Sequence, residues 1–290
     1  MSEGQTTVQR WTLGGSDGQT IYGNTHLPGS GAAGAILICH GFKGYKDYGF
    51  FPALARAAAR RGMVAHRFNF SHSGMTERIE TFERPDLFER DTWGRQIEDL
   101  MTVAAACRDG QLPGEAQAMQ VWFGHSRGGV TALLTSARSV QAAGAVGPAG
   151  LVTAAAPCIS AALSEQDRQR LHQQGFAESP SSRTGQALRI GRAWLDEIEA
   201  DPAAFDPLDA IARVPCPVLV VHGDGDQTVP VDAAHALAEA GAVHARLVVI
   251  EGAGHTFNCP NPLEQDQPIP AATERLIDLT CDFARQCLAE

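Results

Sequence analysis

The apolar run Met119–Phe123 passes directly into Gly124-His125-Ser126-Arg127-Gly128-Gly129, and no other stretch of the chain constrains its fold so tightly. An apolar run of this length reads as a buried strand, and the small-residue stretch Val130–Val140 reads as a helix. A strand joined to a helix by so few residues must turn sharply, so the side chain at the apex stands clear at the sheet edge. Small neighbours are needed on both sides because backbone and helix approach closely there. The apex residue is a serine.

Five residues alone are weak evidence, and the context supplies the rest. Ala35–Cys39 is a second buried-type strand, ending in His40-Gly41-Phe42. A third, Pro217–Val221, leads into His222-Gly223-Asp224-Gly225-Asp226, with Val229-Pro230 just beyond. A fourth, Ala245–Ile250, leads through Glu251-Gly252-Ala253-Gly254 to His255. Each strand ends in a loop carrying one component of an acyl-transfer site, in the order Ser126, Asp226, His255. The chemistry needs these residue types. A serine hydroxyl is a poor nucleophile near neutrality and requires an adjacent base. An imidazole can take that proton and later return it to a leaving group. A carboxylate fixes the imidazole's tautomer and stabilises its cation. Asp224 shares the loop with Asp226 and reads as a turn former bonding nearby amides.

HGFKG, RFNFSHSG, GHSRGG, HGDGDQTVP and GAGH together resemble the α/β-hydrolases of the serine carboxylesterase type, the dienelactone hydrolase-like and feruloyl esterase-like groups. The motifs span residues 35 to 255, and the strand and helix pattern extends the resemblance over nearly the whole chain. Dehalogenases and epoxide hydrolases of this fold place Asp at the elbow, and dienelactone hydrolases proper use a cysteine; this chain has Ser126. The resemblance selects Asp226 over Asp224 as the acid and implies that the backbone amides of Phe42 and Arg127 form the oxyanion hole. It implies cleavage of small-molecule carboxylic esters through an acyl-enzyme, with no cofactor. A thioesterase, peptidase or acyltransferase would use the same triad, and a binding protein of the same fold would lack catalysis altogether.

Strand and helix alternate along the chain, arguing a mostly parallel, doubly wound sheet whose ligands bind at the carboxyl ends of its strands. Val8–Leu13 and Gln19–Leu27 read as an antiparallel N-terminal pair. Phe51–Arg61, Asp86–Cys107 and Ala271–Leu288 read as helices, and Met63–Phe70 as a strand. The rhythm breaks between residues 158 and 209, which reads as a small inserted cap within a single domain spanning residues 1–290. Phe176, Trp194 and Leu195 are candidate apolar wall residues of that cap, although Trp194 equally suits internal packing. Lys43, Tyr45, Lys46 and Asp47 form a charged loop after the oxyanion motif, either solvated or facing the acyl group. His72 is expected to bond within its own turn, and His40, His125 and His222 to serve loop geometry.

A net charge of −10 without a basic stripe argues against nucleic-acid binding. The N-terminal stretch lacks the apolar core of a signal peptide, and no run approaches the ~18 apolar residues of a membrane span, so a cytoplasmic location is expected. The seven cysteines are scattered and suit small buried hydrophobes. Cys and His never cluster at metal-ligand spacing, so no metal is expected. Oligomeric state is not legible.

Overall fold

The computed structural model describes residues 7–139, 147–264 and 266–289. Strands β1 (Thr7–Gly14), β2 (Thr20–Leu27) and β3 (Ala35–Cys39) precede helix α1 (Phe51–Arg60) and strand β4 (Val64–Asn69). Helices α2 (Pro85–Glu89) and α3 (Trp93–Arg108) follow, then β5 (Gln120–His125), α4 (Arg127–Ser139) and β6 (Gly150–Ala154). After β6 come α5 (Glu165–Gln174), β7 (Phe176–Glu178), β8 (Arg189–Gly191), α6 (Arg192–Ala200) and α7 (Pro207–Arg213). The chain ends with β9 (Val218–Gly223), α8 (Asp232–Gly241), β10 (Ala245–Ile250) and α9 (Ala271–Ala289).

Eight strands form one sheet in the order β1-β2-β4-β3-β5-β6-β9-β10. The β1–β2 and β2–β4 pairings are antiparallel and the remainder parallel. This is the α/β-hydrolase architecture expected from the sequence. A separate antiparallel pair, β7–β8, lies within the segment between β6 and β9.

The central strands β4, β3, β5, β6 and β9 are buried throughout because both faces are covered. Leu37 and Trp122 face a core completed by Trp93, Ile97 and Leu100 of α3 and by Leu133 of α4. Their neighbours Ile36, Ile38, Val121 and Phe123 face the opposite core, with Phe51 and Leu54 of α1 and Leu276 and Ile277 of α9. Burying one such side chain contributes ~1.5–3 kcal/mol. The alternation therefore fixes which helices lie on which face.

The structure departs from the sequence reading at several boundaries. The helix expected over Asp86–Cys107 is two helices, because Thr92 is extended (φ −132°, ψ 167°) and its hydroxyl caps α3 by accepting from the Arg95 amide at 3.3 Å. α4 begins at Arg127, three residues before the expected start, since the turn at Ser126 passes straight into helical backbone. Val140, the expected end of that helix, lies outside the described residues. The limit of 209 drawn for the inserted segment falls inside α7, which packs against α4 and α8.

Candidate active site

Ser126 sits between β5 and α4 with φ at +53°, a left-handed conformation rare for a residue with a β-carbon. Its amide donates to Ala154 O on β6 at 2.8 Å, and its carbonyl accepts from Gly129 N at 2.9 Å. The flanking glycines make this turn possible. A β-carbon at Gly124 would lie 2.2 Å from Gly128 O, and one at Gly128 would lie 2.5 Å from the carbonyl oxygens of both Cys39 and His40. The elbow is thus pressed against the end of β3, which brings the His40-Gly41-Phe42 loop to its side.

Parallel pairing of β5, β6, β9 and β10 delivers the loops after these strands to one sheet edge. There the three residues singled out by sequence meet. His255 Nε2 lies 3.0 Å from Ser126 Oγ, and His255 Nδ1 lies 2.8 Å from Asp226 Oδ2. A carboxylate can only accept, so Nδ1 carries the proton and Nε2 is left to accept from the serine hydroxyl. The Asp226 side chain is shut off from solvent. Its Oδ1 accepts from the amides of Thr228 and Val229 at 2.8 and 2.9 Å. Burial works to raise the Asp226 pKa, but the Val229 amide, the His255 imidazole and the Thr228 amide outweigh it and hold the carboxyl below its ordinary range.

Sequence reasoning gave His222 only a loop role. Its Nε2 donates to Val229 O at 2.9 Å and also stands 3.2 Å from Asp226 Oδ2, so a second imidazole flanks the carboxylate. The only signal was the His-Gly-x-x-Asp spacing. Asp224 accepts from the Gly252 amide at 2.6 Å and holds two loops together, as a turn former should. His125 Nε2 donates to His255 O at 2.8 Å. His40 Nδ1 donates to Gly41 O at 2.8 Å while its Nε2 accepts from Phe70 N at 3.2 Å.

A β-carbon at Gly41 would lie 3.0 Å from Ser126 Cβ, so the Phe42 amide is held beside the elbow. Neither the Phe42 amide nor the Arg127 amide has an acceptor among the described residues. Two free donors flanking a serine can meet an oxygen that becomes negative during attack.

The profile of the Alpha/beta hydrolase family matches residues 36–269. The chain belongs to the alpha/beta hydrolase family. Est1E from Butyrivibrio proteoclasticus is similar in structure, with TM-score 0.68 and 16% identity over 97% of this chain and 99% of that one. The esterase domain of a Rhodothermus marinus protein has TM-score 0.64 and 20% identity over 97% and 98% of the two chains. A dienelactone hydrolase from Anabaena variabilis ATCC 29413 has TM-score 0.64 and 17% identity over 97% and 98%. No curated protein sequence matches the chain.

In this hydrolase, two cavities meet at Ser126. One, of about 160 Å³, is lined by His255, Thr256, Lys43, Ser181 and Arg183. The other, of about 180 Å³, is mainly apolar and is lined by Phe42, Trp93, Arg127, Ile159, Leu163 and Trp194. Lys43 faces the first cavity, where its ammonium donates to Pro180 O at 2.8 Å. Trp194 is a wall of the second. Phe176 is not a wall of either: its ring lies 4.0 Å from the Arg189 guanidinium, because the pleat of β7 turns Ala177 inward instead. Leu195 is fully buried in the core.

The loop after Lys43 packs into the fold instead of standing in solvent, and residues 45–47 line neither cavity. Tyr45 and Lys46 are buried, and Asp47 pairs with both Lys46 and Arg67 of β4. The partner arginine lies 20 residues away, so the sequence could not show the pairing. His72 bonds within its own turn to Ser71 Oγ at 2.9 Å, and also to Ser16 Oγ at 3.1 Å. Six of the seven cysteines are buried. No group among the described residues could hold a metal ion, and no helix there is long and apolar enough to cross a membrane.

Proposed function

We propose that this hydrolase cleaves carboxylic esters of small molecules through an acyl-enzyme. The observation that carries the reading is the hydrogen-bonded series Asp226–His255–Ser126, ending beside two amides that lack acceptors. Ser126 Oγ attacks the ester carbonyl while His255 Nε2 takes its proton. The carbonyl electron pair moves onto oxygen, which accepts from the amides of Phe42 and Arg127. Losing one such donor costs ~3 kcal/mol of transition-state stabilisation. Asp226 stays ionised and stabilises the imidazolium. The tetrahedral intermediate collapses, the alcohol leaves with the proton from His255, and the acyl group stays on Ser126. Water then gives its proton to His255 and attacks the acyl carbon; the bond to Ser126 Oγ breaks, His255 returns the proton to that oxygen, and the acid is released.

The segment between β6 and β9 serves as a cap on a single domain. Support comes from its residues Ser181 and Arg183 on one cavity and Ile190 and Trp194 on the other.

Hydrolysis of p-nitrophenyl acetate, butyrate and octanoate by wild type and by Ser126→Ala tests the reading. We expect turnover by the wild type and a loss of about 10³- to 10⁶-fold in the variant. Equal rates would reject Ser126 as the nucleophile.

A further inference from the structure

The two cavities at Ser126 differ in charge. His255 must protonate the departing oxygen, so the leaving alcohol lies in the cavity lined by His255. The acyl group then extends into the apolar cavity on the other side of Ser126. That apolar cavity has one charged wall residue, Arg127, whose guanidinium stands 3.2 Å from the Asp91 carboxylate and is neutralised by it. A carboxylate there would bury a surplus negative charge against apolar walls.

The cavity on the His255 side is built in the opposite sense. Lys43 and Arg183 are among its walls, and none of its lining residues is acidic. Neither cation forms an ion pair among the described residues. Arg183 is committed to the protein: Nη1 donates to Ile79 O, Nη2 lies 3.5 Å from Met75 Sδ, and the guanidinium covers the rings of Tyr45 at 4.6 Å and Phe82 at 5.3 Å. It adds positive potential rather than a contact.

Lys43 is the cation left for a ligand. It follows Phe42, whose amide flanks Ser126, and its backbone is left-handed with φ at +55°. The side chain reaches across to the segment between β6 and β9, where the ammonium donates to Pro180 O at 2.8 Å in an exposed bond. An ammonium has three donors, so two remain. Partial burial holds the Lys43 pKa below its ordinary value. An anion beside the ammonium would offset that desolvation through a charge-assisted hydrogen bond.

We propose that Lys43 makes this cavity a subsite for a carboxylate carried by the alcohol half of the ester. The inference rests on the esterase reading above. The two halves of the substrate are then opposite in character: the acid is apolar, and the alcohol is itself a small hydroxy acid.

The test uses two isomers of equal charge. In 2-(butyryloxy)acetate the carboxylate belongs to the alcohol, and in the monoethyl ester of succinate it belongs to the acid. The wild type should favour the first by at least about 10-fold in kcat/KM, the effect of one hydrogen bond between charged groups. A second comparison sets 2-(butyryloxy)acetate against the neutral 2-(butyryloxy)acetamide, whose intrinsic reactivities cancel between wild type and variants. Lys43→Met should lower the acetate-to-acetamide ratio about 10-fold, and Lys43→Arg, which keeps the charge, should retain most of it. The isomer comparison stands even if a variant does not fold. Equal or faster turnover of the succinate ester by wild type, an unchanged acetate-to-acetamide ratio in folded Lys43→Met, or an equal loss in Lys43→Arg and Lys43→Met would each overturn the subsite. Any of these with Ser126-dependent turnover of p-nitrophenyl butyrate rejects the subsite alone. If no ester is turned over, or Ser126→Ala matches wild type, the esterase reading fails and the subsite falls with it.

Discussion

Acidification from pH 7 to pH 5 perturbs this fold through histidines that it buries in the neutral form. Burial lowers the pKa of His40 to about 4 and of His66 and His125 to about 3. In the unfolded chain each imidazole titrates near ~6.5. Between these values the unfolded state binds more protons than the native state, so stability falls as pH falls. Over these two pH units each histidine withdraws ~1.9 kcal/mol, about 6 kcal/mol for the three. Asp91 and Asp99 act in the opposite sense. Burial raises both to about 6, so the native state binds more protons than the unfolded state between roughly pH 3.8 and 6. Together they return about 3 kcal/mol over the same interval. The net loss is about 3 kcal/mol, a large share of the ~5–15 kcal/mol that holds a typical fold. His26 and His72, lowered to about 3 and about 4 chiefly by burial, deepen it. Urea denaturation at the two pH values measures the effect, and with an m-value of ~3 kcal/mol/M the midpoint should drop by at least about 1 M. A midpoint at pH 5 equal to or above that at pH 7 would show that these imidazoles are not buried neutral.

Two further substitutions test the site's construction. Asp226→Asn should lower kcat by about 10³- to 10⁴-fold by stabilising the wrong His255 tautomer, whereas Asp224→Asn, which touches only the Gly252 amide, should cost less than about tenfold; a reversed ranking in ester turnover would reassign the acid. Gly128→Ala places a methyl group 2.5 Å from two strand-end carbonyl oxygens, so it should cost ~1–3 kcal/mol in thermal denaturation and at least tenfold in kcat/KM; wild-type stability and rates would contradict the close packing at the elbow.

Much of the site was legible because its parts are local. The turn at Ser126 needs small residues within two positions of the serine, and the loops bearing Asp226 and His255 follow directly on apolar strands. The alternation of strands and helices implied a parallel sheet, and a parallel sheet brings strand ends to one edge. The Asp91-Thr92 break between α2 and α3 was less visible, since apolar spacing continues across it and only the Thr92 cap marks the interruption.

The sequence by itself determined the kind of fold and singled out Ser126, Asp226 and His255, which the structure brings together, because each is written in a short segment with its own backbone requirement. Tertiary structure alone decided what surrounds them. Arg127 meets Asp91, Trp93 and Trp194; His222 stands against the carboxylate of Asp226; Lys46 and Asp47 close on one another and Asp47 on Arg67; and Phe176 packs on Arg189 while Trp194 lines a cavity. These contacts join residues from separate elements. Which of them face one another is set by how strands pair and how helices pack, information that no local run of residues carries.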